Sequence, residues 1–299
     1  MSRRGVFFAI ATGTAFVLAG HSPVAADANR LRRARPWAKV VAPSTGPARA
    51  IGRYKAGCLQ GGRRLPLDGP GYFVVRPQRK RNYGHPNLVA FIKKLGREVD
   101  EAGLGRLPIS DMGQARGGPT PSGHASHQSG LDVDIWFGRV PRSLRHRRLT
   151  RAQRNTIQPM EVVSARAKGP TKHWSSRVLK VLELAAKDDR VARIFINPRI
   201  KVQACKLTRG DRSWLRKLRP WYGHAAHFHV RLNCPKSSPA CRPQAAPPKG
   251  DGCNALGWWF NKKAQQARRK NHKKYRKHVR TMPTLPEQCK KVLHRKRKR

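Results

Sequence analysis

Two stretches of the sequence decide the fold: Leu131-Asp132-Val133-Asp134-Ile135-Trp136 and His227-Phe228-His229-Val230-Arg231-Leu232. Both alternate apolar with polar residues, and this period of two is typical of a β-strand that buries one face. The alternation places both aspartates of the first stretch on one face, and both histidines of the second stretch likewise. We therefore predict two strands that carry carboxylates and imidazoles on the face opposite the core.

This combination of side chains is typical of a zinc site. A catalytic zinc ion takes three protein ligands from imidazole and carboxylate groups and keeps a further position open for water. His127 precedes Asp134 by seven residues, across Gly130, so the loop can fold it back over the strand. A single histidine would be better interpreted as a surface or core residue. Histidine and aspartate clustered at strand spacing favour a metal site.

The same stretches resemble the LAS-type zinc metallopeptidases, which include lysostaphin-type enzymes, D-Ala-D-Ala metallopeptidases and the Sonic hedgehog N-domain. The resemblance begins with His127 and Asp134, followed far downstream by His227-x-His229. Residues 123–135 and 224–232 are most similar to the penicillin-insensitive murein endopeptidases. Shorter matches between about residues 37 and 253 are Tyr83-Gly84-His85-Pro86, Asp111-Met112-Gly113 and Ile194-Phe195-Ile196-Asn197-Pro198.

The resemblance implies a ligand set and a general base. It implies that His127, Asp134 and His229 bind the zinc ion. It also implies that His227 is the general base, at the place where related enzymes use glutamate or histidine. His124 matches a family position that can bind metal, and the alternative is a hydrogen bond that orients a ligand.

Two further residues are predicted to support this site. The resemblance implies that His224 orients His227 or contacts the substrate. Asp132 lies on the same strand face as Asp134 and can hold a ligand imidazole by its second N–H, although a solvated strand residue is the alternative. A second metal is not expected, because residues 164–170, where the family pattern has Asp-x-x-His, contain no acidic side chain. One zinc ion is therefore predicted.

We predict an α+β fold with a central antiparallel sheet, helices on one face and the zinc site on the other. Apolar residues at helical spacing predict helices at 87–101 and 175–186, and a strand is predicted at 191–196. The predicted divisions are a signal peptide at 1–26, a zinc metallopeptidase domain at 37–260 and a basic tail at 261–299.

The beginning of the chain predicts export. Arg3 and Arg4 precede an apolar stretch at residues 6–18, and small residues at 24–26 form a cleavage site. The apolar stretch is too short for a membrane helix and is broken by Gly13 and Thr14. We therefore expect a periplasmic protein without a transmembrane anchor after cleavage, exported by either the general or the twin-arginine route.

Six cysteines agree with export to an oxidising compartment and indicate three disulfides. The residue spacing alone leaves their pairing open. The resemblance implies the pairs Cys58–Cys289, Cys205–Cys253 and Cys234–Cys241. The first of these pairs would tether the basic tail to the N-terminal region.

The net charge of +50 predicts association with acidic surfaces. Export argues against a specific nucleic acid partner, and the basic residues are spread along the chain instead of forming one stripe. The expected partner is the carboxylate-rich peptidoglycan sacculus. Charge of this kind predicts where a protein binds but does not define an activity.

The resemblance implies hydrolysis of the D-alanyl–meso-diaminopimelyl cross-links of murein. Because this zinc mechanism uses no serine nucleophile, β-lactams are not expected to inhibit the enzyme. The alternatives are a D,D- or L,D-carboxypeptidase on the same zinc site and a wall-binding protein without activity. A polyanion-binding protein that relies on the basic tail is a more remote alternative.

Overall fold

This computed structural model describes residues 23–121, 124–138, 147–164, 168–264, 266–267, 269–270 and 283–295. Residues 1–22, most of the predicted signal peptide, lie outside the described residues. So do residues 165–167 and much of the predicted basic tail. Within the described ranges, no helix is both long enough and apolar enough to cross a membrane.

The described chain alternates short strands with six helices that are used below. The helices are α1 (Pro23–Lys39), α2 (Pro86–Glu101), α3 (Arg151–Thr156), α4 (Ser176–Lys187), α5 (Pro198–Leu207) and α6 (Glu287–His294). The strands are β1 (Arg49–Arg53), β2 (Ala56–Gln60), β3 (Arg63–Arg64), β4 (Asp68–Gly69), β5 (Tyr72–Val74), β6 (Tyr83–Gly84), β7 (Leu107–Ile109), β8 (Asp132–Trp136), β9 (Val163–Ser164), β10 (Gly169–Pro170), β11 (Val191–Ile196), β12 (Leu218–Pro220) and β13 (His227–Leu232).

Seven strands form the central sheet, in the order β12-β11-β13-β8-β7-β5-β4. The pairs β11–β13, β13–β8 and β8–β7 are antiparallel, as predicted. The prediction of an antiparallel sheet is wrong for β5–β7 and β11–β12, which are parallel. Helix α2 connects β5 to β7 and α5 connects β11 to β12, and such a helical crossover returns the chain in its original direction. The fold is α+β with a mixed sheet.

The two faces of the central strands have different neighbours. Val133 and Ile135 of β8 and Phe228 and Val230 of β13 belong to one buried core together with the apolar faces of α2 and α4. The opposite face carries the polar residues of both strands. There, β8 and β13 pair in a register that sets His229 against Asp134 and Arg231 against Asp132. The predicted alternation of both strands is confirmed.

Most of the predicted helices and strands match the structure, with two differences. α2, α4 and β11 lie within one or two residues of the predicted ranges. Residues 27–35 belong to α1, a helix that the sequence patterns above do not predict. Asn197-Pro198 ends β11 but also begins α5, since the Asn197 side chain accepts a hydrogen bond from the N–H of Arg199 (3.0 Å).

The structure contains the disulfides Cys58–Cys289, Cys205–Cys253 and Cys234–Cys241. These are the pairs that the resemblance implies. Cys289 and Val292 of α6 are buried in a small apolar cluster with Ile51 of β1. Residues 283–295 of the predicted tail are therefore packed against the β1–β2 hairpin.

Candidate metal centre

Asp134 lies at the centre of the polar face of the sheet. It is 4 % exposed and lies at the middle of β8. Its Oδ2 atom is 3.4 Å from Nε2 of His127 and 3.7 Å from Nδ1 of His124. Its Oδ1 atom is 2.9 Å from Nδ1 of His229 and 4.0 Å from Nε2 of His227. The fold thus brings four predicted site histidines around one buried carboxylate.

The donor atoms around Asp134 fit a divalent cation. Its Oδ1 atom is buried and receives no hydrogen bond from the described residues, although Nδ1 of His229 lies 2.9 Å away. An ionised buried oxygen without a partner is unfavourable, so a cation at this point would satisfy it. The ligand atoms of His124, His127 and Asp134 lie within 4.8 Å of one another. Imidazole and carboxylate donors of this kind suit zinc.

Asp134 is ionised at neutral pH and therefore available as a ligand. Burial is the largest single influence and would raise the pKa of its carboxyl group, but His127, His229 and His227 together outweigh it and hold the pKa well below its usual value. Backbone bonds fix the residue on both sides. Its N–H donates to the carbonyl of Asp111 and its carbonyl accepts from the N–H of Ser110, both at 2.9 Å.

The loop before β8 positions His127 through its backbone. His127 has a φ of 67°, in the left-handed region that residues with a Cβ rarely adopt. Its N–H donates a hydrogen bond to Oδ2 of Asp132 (3.0 Å), which holds this conformation. Gly130 completes the turn at a φ of 74°, where a Cβ would lie only 2.6 Å from the side chain of Leu59. Such strain in a non-glycine residue is common at functional sites.

Asp132 supports the site through a buried ion pair. Arg231 donates from Nε to Oδ1 of Asp132 (2.8 Å) and from Nη2 to Oδ2 (3.3 Å). Oδ1 also lies 3.2 Å from Nε2 of His229. The guanidinium of Arg231 is fixed between the rings of Tyr54 and Phe195, 4.2 Å and 5.2 Å from their centroids. Asp132 therefore contacts two predicted ligands, and Arg231 is a site residue that the sequence interpretation missed.

The pKa of Asp132 agrees with a permanent charge at this position. Burial would raise the pKa of this fully buried carboxyl group, but Arg231 and then His229 hold it below its usual value. The group is therefore an acceptor for the N–H groups around it. The alternative of a solvated strand residue is wrong, since the Asp132 side chain is 0 % exposed.

Asp111 is a second site residue that was not predicted. It follows β7, and its Oδ2 atom lies 3.1 Å from Nε2 of His124. Arg79 and Arg81 approach the same oxygen at 2.9 Å and 3.5 Å. Burial would raise the pKa of Asp111, but His124 and these arginines lower it, so the carboxylate is ionised and accepts the Nε2 proton. Nδ1, the other ring nitrogen of His124, faces Asp134 at 3.7 Å.

His227 and His224 form a pair beside Asp134, with their ring centroids 4.8 Å apart. His224 has a φ of 53° and donates from Nδ1 to the carbonyl of Tyr222 (2.9 Å), which leaves Nε2 as an acceptor. Burial lowers the pKa of His224 to about 4. Burial also lowers the pKa of His227 below its usual value. Both imidazoles are therefore neutral at neutral pH and able to accept a proton.

Comparison with known proteins adds a family to this geometry. Residues 50–294 match the family model described as penicillin-insensitive murein endopeptidase. The chain belongs to this family. A relative with that name from Klebsiella pneumoniae subsp. pneumoniae is 46 % identical over 229 residues, which are 76 % of this chain and 82 % of the relative. Another with that name, from Salmonella newport, is 43 % identical over 262 residues, 87 % of this chain and 91 % of the relative.

The family match contains every predicted site residue. It also extends beyond residue 260, across the segment that forms α6 and carries Cys289. The family and the names of these relatives support a peptidase.

Replacing Asp132 with asparagine is expected to weaken zinc binding about 10- to 100-fold. The amide cannot replace the carboxylate in the charged pair with Arg231, so the contacts to His127 and His229 lose their common anchor. Chelator competition with the purified variant measures this affinity. Asp211→Asn is the matched control, because that side chain is 55 % exposed and lies outside the site. Equal zinc affinity in the two variants would contradict a positioning role for Asp132.

Proposed function

We propose that this protein is a zinc-dependent endopeptidase that hydrolyses D-alanyl–meso-diaminopimelyl cross-links of peptidoglycan in the periplasm. The observation that carries the proposal is the convergence of four imidazoles on Asp134, whose buried Oδ1 atom has no hydrogen-bond donor among the described residues. The relatives are named murein endopeptidases, and this supports peptidoglycan as the substrate.

Three residues would hold the zinc ion. They are His127 through Nε2, His229 through Nδ1, and Asp134, whose two oxygens face those nitrogens at 3.4 Å and 2.9 Å. His124 is the further candidate, because its Nδ1 atom faces the same carboxylate while Asp111 holds its other nitrogen. When bound, zinc polarises the scissile carbonyl and makes a water molecule more acidic.

His227 is the proposed general base. Its side chain is 30 % exposed and its Nε2 atom lies 4.0 Å from Oδ1 of Asp134, so it is near the reacting groups and open to substrate. A neutral imidazole there accepts a proton from the attacking water and later donates it to the leaving amine. His224 packs against His227 and limits its orientation. Asp132 and Arg231 keep the ligand imidazoles in place.

The charge of the chain supports an acidic polymer as the substrate. The formal net charge is +50, from 65 basic and 15 acidic residues. A positive field of this size concentrates a polyanion near the protein, and salt screens the attraction. The predicted signal peptide and the disulfides support the periplasm, where peptidoglycan lies.

The decisive experiment compares cross-linked with uncross-linked muropeptides. The purified zinc-loaded protein is expected to convert a D-alanyl–diaminopimelyl dimer into monomers and to leave a monomeric pentapeptide intact. Mass spectrometry of the products measures both reactions, and a β-lactam is expected to leave the rate unchanged. Removal of the terminal D-alanine from the monomer would favour a carboxypeptidase. Binding without any hydrolysis would favour a wall-binding protein.

A further inference from the structure

A group of aromatic side chains forms a ridge beside the metal centre. The aromatic ridge consists of Trp221, Tyr222, Trp258, Trp259 and Phe260. Trp221, Trp258 and Phe260 are 45 %, 44 % and 40 % exposed. In the part of the chain that the structure describes, they are three of the five strongly exposed large apolar residues. Single exposed apolar residues need no explanation, but a cluster of them indicates a binding surface.

Aromatic rings connect the metal centre to Trp221, one end of the ridge. The ring of Phe195 lies 5.4 Å from the ring of His229 and 6.1 Å from the ring of Trp221. Tyr222 follows Trp221 in the sequence; its ring lies 5.1 Å from that of Trp259, and the rings of Trp259 and Trp258 are 5.0 Å apart. Aromatic rings therefore lead outward from a predicted zinc ligand to exposed surface.

Hydrogen bonds from neighbouring elements hold the ridge in place. Tyr222 donates from its hydroxyl to the carbonyl of Ala264 (2.8 Å), which joins the two segments of the ridge. Asn197, at the end of β11, donates from its side chain to the carbonyl of Gly223 (2.9 Å). These bonds fix the Tyr222 side chain and the backbone beside it, so this part of the ridge loses little conformational entropy on binding.

A cation lies at the far side of the ridge. The guanidinium of Arg199, in the first turn of α5, sits 5.1 Å from the ring centroid of Phe260. It also donates to the carbonyl of Lys168 (2.8 Å), which fixes its position. The ridge therefore combines flat apolar faces with a positive charge, and this fits a ligand that has apolar faces and carboxylate groups.

We propose that the aromatic ridge binds the glycan strand of peptidoglycan, with the exposed indole rings stacked on the apolar C–H faces of N-acetylhexosamine rings. This inference rests on the proposed function, since it assigns the sugar part of the same substrate. Three or four extended peptide residues join a cross-link to the sugar and span about 10–14 Å. Ring contacts of 5.4 Å and 6.1 Å link His229 through Phe195 to Trp221, so the inner end of the ridge lies within that reach.

The test compares two cross-linked substrates that differ only in their sugars. One is a muropeptide dimer with its disaccharides, and the other is the same peptide dimer after an amidase has removed them. Trp258→Ala is expected to lower kcat/KM on the first substrate about 3- to 10-fold, the range of an aromatic stacking contact, and to leave the second unchanged. Trp258→Phe keeps a ring and is expected to recover most of the loss.

The matched control is Leu207→Ala. Leu207 is 48 % exposed and lies at the end of α5 opposite Arg199, so its loss removes a similar apolar surface away from the ridge. This variant is expected to cleave both substrates at the wild-type rate. Thermal melting of all variants confirms that they fold. An equal loss on both substrates, or no loss on either, would overturn the proposal.

A direct binding measurement keeps the ridge testable apart from the activity. Glycan strands stripped of peptide are added to the wild-type protein and to Trp258→Ala in about 0.5 M NaCl, where charge attraction is strongly screened. Tryptophan fluorescence then reports stacking. Weaker binding by the variant supports the glycan site even if neither protein cleaves cross-links, in which case only the proposed function fails. Equal binding by the two proteins overturns the glycan site.

Discussion

The His229→Ala variant is expected to purify without zinc and to lose cross-link hydrolysis by well over about 100-fold, more than the loss of a residue that only orients a ligand. Nδ1 of His229 lies 2.9 Å from Oδ1 of Asp134, the buried oxygen that no described residue satisfies. Without the imidazole, the cation loses a donor on that side of the carboxylate. Metal analysis and digestion of a purified muropeptide dimer measure the two effects.

The control for this variant is His173→Ala, which removes an exposed histidine outside the site. It is expected to retain both zinc and activity. The ion pair between Asp132 and Arg231 is left intact in His229→Ala, so the variant is expected to fold, and circular dichroism checks this. A folded His229→Ala protein that still hydrolyses the dimer would refute the proposed ligand set.

The parts of the site that lie on strands could be predicted because strand geometry is rigid. In β8 and β13, alternate residues must point to opposite faces, so the pattern alone places the Asp132 and Asp134 side chains on one face. The same rule applies to Arg231, which has the parity of His227 and His229. Arg231 could therefore have been assigned to the site. In a chain of 65 basic residues, however, an arginine is not by itself a sign of a functional site.

The role of Asp111 could not be predicted from a local pattern, although the resemblance includes Asp111-Met112-Gly113. Asp111 follows β7, and its position beside His124 depends on the pairing of β7 with β8, which joins residues far apart in the sequence. The parallel pairs of the sheet were missed for a similar reason. The direction of each strand depends on the crossovers through α2 and α5. Helix α5 was not predicted, because Asn197-Pro198 at its start was interpreted only as the end of a strand.

The His227→Ala variant is expected to retain zinc and to lose hydrolysis about 10²- to 10⁴-fold, the usual contribution of a general base. His227 lies farther from Asp134 than the ligand nitrogens do, with 4.0 Å between Nε2 and Oδ1. Its side chain is partly exposed, whereas that of His229 is buried. Removal should therefore spare the ligand set and remove only the proton acceptor. Metal content and single-turnover rates on the dimer separate these effects.

Added imidazole distinguishes a chemical role from a structural one. The side chain that alanine removes leaves space next to Asp134, and free imidazole in that space can accept the proton that His227 would accept. The rate of His227→Ala should therefore rise with imidazole concentration, whereas the rate of His229→Ala should not, because its zinc is absent. Loss of zinc from His227→Ala would make His227 a ligand. If His227→Ala hydrolyses the dimer at the wild-type rate, another group transfers the proton. His224 is then the first candidate, because its ring centroid lies 4.8 Å from that of His227.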